Sequence, residues 1–213
     1  MGIYQNQVIQ EKEVFLKKIS KFYLFTLFAV AFSTAYFLAP ALKAVEVKGV
    51  LEYIYNTKEF SSKFIQVNQD NVSEGSLYLK DDRIKLIYRS PTKIELTISK
   101  KKAMYFNVDL EEVEYFNPKK TMVFLFYDIF NNKDFFKNTI FKTTSDQITL
   151  KKKIKIEGED ANIEIILENN PLVIKKIIIN YNENLIKFSI VSPNFNPKLD
   201  KKFFSMIDPR IKK

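Results

Sequence analysis

Phe64-Ile-Gln66, Glu74-Gly75-Ser-Leu-Tyr-Leu-Lys80, Lys85-Leu-Ile-Tyr88-Arg-Ser-Pro91, Ile94-Glu-Leu96-Thr-Ile98 and Tyr105-Phe-Asn107-Val-Asp109 follow one another between residues 64 and 115. Leu77 and Leu79 alternate with Ser76, Tyr78 and Lys80. Ile84, Leu86 and Tyr88 alternate with Arg83 and Lys85. Ile94, Leu96 and Ile98 alternate strictly with Lys93, Glu95 and Thr97. A period of two sets one apolar and one wetter face on each strand. Asn68–Asn71 and Ser90-Pro91 are breaks, and Ser99–Lys102 is a charged turn. The stretch holds no reactive group and reads as short antiparallel strands sharing one apolar face.

Outward from it, Val47, Val50, Leu51, Ile54 and Lys58 recur at helical spacing, so 46–58 reads as a helix with one apolar stripe. Met104–Val108 and Val113–Phe116 continue the strands. Met122 to Phe130 is too apolar and too irregular for a half-exposed strand, and reads as a short amphipathic helix with Asp128 on its wetter side. Strands resume at Ile148–Leu150, Ile154–Ile156 and Ile163–Leu167. The pair Val173–Tyr181 and Leu185–Val191 forms a hairpin, and Phe203–Ile207 is the expected closing strand. About ten strands and two helices predict a mainly β (α+β) chain built on a curved antiparallel sheet. Covered by helices rather than by more strands, such a sheet leaves a lined cavity.

Composition narrows the chemistry. The 213 residues include no Cys and no His, with 20 Phe and 11 Tyr. Disulfides, thiolate nucleophiles, Cys/His zinc sites and serine–histidine pairs are excluded. Asp81-Asp82 and Glu111-Glu112 are paired carboxylates without a histidine or metal-ligand companion, and read as surface. No glycine-rich phosphate loop is present. The expectation is a protein that is not an enzyme, with no cofactor and no bound metal. Nucleic-acid binding is not expected, because aromatics and lysines interleave mostly by strand alternation.

The net charge is +9, of which residues 1–44, with five Lys and two Glu, hold +3. The remaining +6 suits anionic partners, and equally suits lysine-rich solvent faces. The Lys100–Lys102 turn is open to both readings, lipid phosphates or solvent. Within 1–44, basic Lys17, Lys18 and Lys21 precede an apolar run to Leu38 and the small-residue segment Ala39-Pro40-Ala41. These are the parts of a secretory signal, with cleavage after Ala44. The alternatives are an uncleaved anchor in the inner membrane, since the run is long for a signal, and a buried core helix. Met1–Val14 are polar, and initiation near Leu16 would give a more ordinary signal. The expected domains are 1–44, extension plus signal, and 45–213, a single half-barrel domain outside the cytoplasm.

The chain resembles the periplasmic carrier family of outer-membrane lipoproteins, the LolA family. The resemblance rests on Phe64-x-Gln66, Gly75-x-Leu77-Tyr78-Leu79-Lys80, Tyr88-x-x-Pro91 and Tyr105-Phe106-Asn107 with Glu112-Val113 beyond, in order over roughly residues 47–130. It implies an incomplete antiparallel β-barrel with a helical lid, in the periplasm of a Gram-negative cell. It further implies a hydrophobic cavity for the acyl chains of lipid-modified proteins. A monomer would receive its load from an inner-membrane lipoprotein-releasing transporter and pass it to an outer-membrane acceptor. The chain departs from the family pattern where an arginine and a proline usually follow the Lys80 position. Asp81-Asp82 stand there, and Arg83 is the nearest candidate for lid control. Lys100–Lys102 replace an Asp-Gly turn, and Thr121-Met122 replaces a Thr-Pro.

Burial contributes about 0.8 kcal/mol per CH₂, so a carrier of acyl chains needs a movable wall in order to release them. The mid-chain helix is the expected wall. Met122, Phe124, Phe126 and Phe130 are its candidate lid or cavity residues. Leu86, Tyr88, Leu96, Ile98, Met104 and Phe106 are the candidate lining of the sheet. The plain alternative for each is ordinary core. Two other functions remain open beside the carrier: a half-barrel envelope-stress or protein-interaction module, and a carboxylate-based hydrolase.

Overall fold

A computed structural model describes residues 47–211. The expectations for the leader, residues 1–44, and for a helix start at Glu46 lie outside the described residues. Among the described residues no helix is long and apolar enough to cross a membrane.

The first helix, α1, covers residues 47–56. The first six strands follow it: β1 (Glu59–Asn68), β2 (Asn71–Lys80), β3 (Arg83–Ser90), β4 (Ile94–Ile98), β5 (Ala103–Asn107) and β6 (Glu112–Phe116). Helix α2 (Phe124–Asn131) then leads into β7 (Ile140–Thr143), β8 (Gln147–Ile156), β9 (Glu159–Glu168), β10 (Val173–Tyr181) and β11 (Asn184–Asn194). They form one curved, unclosed sheet in the order β6-β5-β4-β3-β2-β1-β11-β10-β9-β8-β7, with every neighbouring pair antiparallel. The first six strands and the last five are two meanders joined at β1–β11. The link carrying α2 runs from one edge strand, β6, to the other, β7.

Glycine is scarce, and apart from Gly158 in the β8–β9 turn the positive-φ turn positions fall on other residues. Gln69, Asp81, Glu111, Glu157, Asn182 and Glu183 take positive φ. Asn182 and Glu183, at φ 48 and 62, give the β10–β11 hairpin the left-handed pair that matches strand twist. The side chain of Asn107 accepts from the Asp109 and Leu110 amides and so sets the β5–β6 turn.

The alternation seen in the sequence sorts the sheet. Phe60, Phe64, Leu77, Leu79, Ile84, Leu86, Leu96 and Ile98 face inward with Ile163, Ile165, Leu167, Ile177, Ile179, Phe188 and Ile190, all buried. Helix α1 adds Val50 and Ile54 to this core, and α2 adds Leu125, Phe126, Ile129 and Phe130. At about 1.5–3 kcal/mol for each large side chain buried, this layer is the main source of stability.

The opposite, outer face is covered over β2–β6 by the C-terminal segment. Phe203 packs edge-on to Tyr78, with centroids 4.8 Å apart, and lies under the Lys85 ammonium at 4.7 Å. Lys85, only 8% exposed, is balanced there by Glu95 at 2.7 Å and by the Phe203 carbonyl at 3.3 Å. Tyr115 Oη donates to the Met206 carbonyl farther along.

Four expectations differ from this architecture. Phe203–Ile207 is not a closing strand. Lys201–Phe204 form a 3₁₀ turn whose start is capped by the Asp200 side chain, which accepts from the Lys202 amide at 2.9 Å. The expected strands 148–150 and 154–156 are one strand, β8, because Lys151-Lys152-Lys153 interrupts the apolar pattern without breaking the ladder. Strand β7 was not foreseen, being four residues long and mostly exposed. Strand β1 begins at Glu59 rather than Phe64, since Ser61 and Ser62 are compatible with a strand but carry no apolar signal.

Gly75 sits opposite Phe64 in the β1–β2 register. A Cβ there would lie 2.2 Å from the Ile87 carbonyl and 2.6 Å from the Phe64 ring. Gly75→Ala is therefore expected to cost at least about 1–3 kcal/mol, measured by urea unfolding. Gly49→Ala, where nothing stands within 4 Å of the added atom, supplies the mild comparison.

Candidate functional site

The inner face is organised by one ring. Phe64 packs on Gly75, stacks on Phe188 with centroids 4.5 Å apart, and meets Tyr88 edge-on at 5.0 Å. Tyr88 Oη donates to Gln66 Oε1 at 2.9 Å. Burial pushes the Tyr88 phenol up to about 12, so it remains a neutral donor throughout the physiological range. The four residues Phe64, Gln66, Gly75 and Tyr88 thus form one contiguous cluster across β1, β2 and β3.

Helix α2 rests against this surface through apolar contacts. Phe126 meets Phe188 edge-on at 4.8 Å, and Phe130 stacks over Phe60 at 6.4 Å. Phe124 stacks on Tyr127 within the helix at 5.0 Å. The polar anchoring of α2 is slight. Its N-cap residue Val123 offers no side-chain cap, and no basic residue stands in the last turn. The side-chain bonds at its C-terminal end are local, Asn132 Nδ2 donating to Asp128 Oδ1 at 3.0 Å and Asn132 Oδ1 accepting from the Asp134 amide at 3.1 Å. Among the described residues no ion pair joins α2 to the sheet. Beyond its C-terminal end, Tyr55 of α1 donates to the Lys133 carbonyl at 2.9 Å and packs edge-on against Phe136.

Beside the N-terminal end of α2 the inner face opens into a pocket of about 370 Å³. Its apolar wall is Ile94, Leu96, Tyr105 and Phe116 of the sheet and Val123 of the segment entering α2. Its polar side is Gln66, Ser73 and Tyr88. This volume is near the lower end of the roughly 300–1,000 Å³ of small-molecule pockets. Elsewhere the core takes in side chains of α1 and α2 together, Val50 and Ile54 with Leu125, Phe126, Ile129 and Phe130.

The residues singled out from sequence fall into three groups. Leu86, Tyr88, Leu96 and Ile98 stand on the inner face, and Tyr88 and Leu96 line the pocket. Phe126 and Phe130 are buried between α2 and the sheet, while Met122 and Phe124 sit half-buried at its start, around a smaller recess of about 60 Å³. Met104 and Phe106 require correction. In the β4–β5 register they pair with Thr97 and Glu95, which puts them on the outer face. Tyr105, paired with Leu96, takes the inner position. Both faces of Ala103–Asn107 carry apolar side chains, so alternation alone gave no preference between them.

Arg83 also requires correction as a group that controls the lid. It pairs with Lys80 on the outer face, and its Nη1 lies 3.5 Å from the Phe204 carbonyl of the C-terminal turn. Asp82, its neighbour, is the turn residue near α2, contributing with Asp128 to the raised phenol of Tyr127, whose chief cause is burial. Tyr105, Phe116, Ile94 and Val123 were missed as pocket residues. For Tyr105 the usable signal was its register with the strongly patterned β4.

Residues 55–207 match the family described as outer membrane lipoprotein carrier protein LolA. The chain belongs to the LolA family. Comparison with curated proteins finds no match. Among solved structures, an uncharacterized conserved protein from Thermus thermophilus is similar at 7% identity and a TM-score of 0.50, over 76% of this chain and 92% of that one. The MucA/MucB complex of Pseudomonas aeruginosa gives 9% identity and a TM-score of 0.45, over 75% of this chain and 59% of that one. A DUF1329 family protein from Desulfovibrio piger gives 9% and 0.42, over 76% and 95%. At such identities the first of these speaks for the fold alone.

Within this LolA-family fold, Asp128 is the one acidic side chain of α2. Burial raises its carboxyl above the ordinary 3.8, against the lowering influence of Asn132 and Lys119. A carboxyl raised by folding binds its proton more tightly in the folded chain. It therefore weakens the fold at pH above its raised value, and the penalty disappears once the pH is below 3.8 and both states are protonated. Asp128→Asn keeps an acceptor for Asn132. The variant is expected to be more stable than the parent at pH 7 by less than about 1 kcal/mol, because the half-exposed site is screened. The gap should close on acidification toward pH 3.8, as read by thermal unfolding across pH.

Proposed function

We propose that the chain is a periplasmic carrier that takes the acyl chains of lipid-modified proteins onto its inner face and carries them from the inner to the outer membrane. It makes and breaks no covalent bond. The observation that carries this reading is the mode of attachment of α2, a short cover held over an apolar sheet by aromatic contacts, next to a pocket already open at one end. Membership in a family of periplasmic carriers supports it.

The physical argument is competition. Phe126 and Phe130 occupy the same inner surface that acyl chains would cover. Each CH₂ withdrawn from water contributes about 0.8 kcal/mol, so a chain entering from the pocket replaces the aromatic contacts of α2 with contacts of the same kind. Because among the described residues no ion pair to the sheet and no side-chain N-cap has to break, the exchange needs little activation, and it reverses when an acceptor offers a better apolar site. An inner-membrane releasing transporter and an outer-membrane acceptor are the partners this cycle requires. The leader would be the export signal, with 45–213 as the single exported domain.

Mass spectrometry of the native protein from envelope extracts tests the proposal. The expected result is a copurifying lipid-modified protein, with its yield reduced several-fold in Ile94→Asp, which places a charge in the pocket wall. A chain recovered with no lipidated partner and bound instead to a soluble regulatory domain would overturn the carrier reading in favour of a protein-interaction module.

A further inference from the structure

The pocket beside α2 has a polar side that acyl chains alone would not need. Gln66 stands on the inner face of β1, opposite Ser73 of β2, and both line the pocket with Tyr88. The Tyr88 hydroxyl donates to Gln66 Oε1 at 2.9 Å, and Tyr88 is itself pinned edge-on against Phe64. In this bond the amide oxygen faces Tyr88. With its oxygen turned to Tyr88, the Gln66 amide nitrogen carries its two N–H groups away from that bond, and among the described residues it finds no acceptor. The apolar wall formed by Ile94, Leu96 and Phe116 borders the same space.

A half-buried donor held in one orientation beside an apolar wall suits a ligand that is apolar with a single acceptor at one end. A bare hydrocarbon would leave the amide unpaired, at a cost comparable to a lost hydrogen bond. A fatty-acyl ester supplies the match, because its carbonyl oxygen accepts but does not donate, and its chain continues onto the wall.

We propose that Gln66, oriented by Tyr88, is a carbonyl-recognising donor that holds the ester end of an acyl chain in this pocket. This deepens the carrier reading and rests on it. Gln66 is then a specificity residue. It distinguishes ester-linked from ether-linked chains, and it sets where along the inner face the first carbons of the chain lie. The carbonyl can come from a diacylglyceryl-modified cysteine or from a membrane phospholipid, which present the same group.

The test compares two ligand pairs on the full exported chain. One pair is a dipalmitoyl-glyceryl-cysteine lipopeptide and its dialkyl ether counterpart. The other is a dipalmitoyl phosphatidylglycerol and its dialkyl ether counterpart. Affinities are read by competition against a fluorescent acyl probe. The expected result is that the ester lipopeptide binds about two- to ten-fold tighter than its ether, with the ratio falling to about one in Gln66→Leu. Gln66→Glu keeps the acceptor for Tyr88 but removes the donors, and should fall to one or below, which guards against a folding defect in the leucine variant. Equal binding of ester and ether by the parent chain overturns the subsite while leaving the carrier reading intact. Failure of both lipopeptides to bind overturns the carrier reading itself. An ester preference confined to the phospholipid pair upholds the carbonyl donor and assigns its ligand to the membrane lipid instead.

Discussion

An apolar sheet that does not close must be covered, and in this chain the cover beside the pocket falls to a helix of eight residues. The two meanders meet at β1–β11 and leave β6 and β7 as unpaired edges. The inner face they curve around is lined by Val, Ile, Leu and Phe side chains. Left bare, this surface would be an aggregation hazard. Among the described residues the 117–139 link is the connection that joins the two edges, and α2 is its apolar part. The position of α2 is thus a consequence of the topology, and the weakness of its polar anchoring is a consequence of its sequence.

That weakness has functional content. In the proposed carrier cycle, a cover secured by charge pairs would have to break them each time ligand entered. Here the contacts are dispersion and burial, Phe126 on Phe188 and Phe130 on Phe60, and an entering hydrocarbon supplies the same interactions. The family pattern of an arginine after the Lys80 position is absent. The nearest substitute, Arg83, faces the outer side and the C-terminal turn. The C-terminal segment has a different role, covering the outer face of β2–β6 and leaving the inner face to α1 and α2. The two faces of the sheet are therefore sealed by different parts of the chain. The outer seal includes charge-assisted bonds such as Lys85 to Glu95, whereas among the described residues no ion pair joins α2 to the sheet.

Much of this was legible in the residues. Strict alternation in Ile94–Ile98 and in Ile84–Tyr88 gave both the strands and the inward side chains, because a half-buried strand leaves a period-two record. The change of pattern at Met122–Phe130 located the helical cover. The record failed where both faces of a strand are buried. Met104 is as covered as Ile98, since the C-terminal segment lies over the outer side, so apolar character no longer marks the inside. It failed again where the backbone alone holds a strand, as in β7 and across Lys151–Lys153. Tertiary cover by a segment nearly a hundred residues away leaves no local trace, and neither does the orientation of an amide such as Gln66, which depends on a tyrosine two strands over.

The account stands on ligand and α2 competing for one apolar surface. Amide hydrogen exchange in the chain, with and without a saturating diacylated lipopeptide, measures this directly. The account predicts that residues 124–131 lose protection when the lipopeptide is bound, while the amides of β1, β2 and β11 keep theirs. Bound lipopeptide with the protection of α2 unchanged would contradict it.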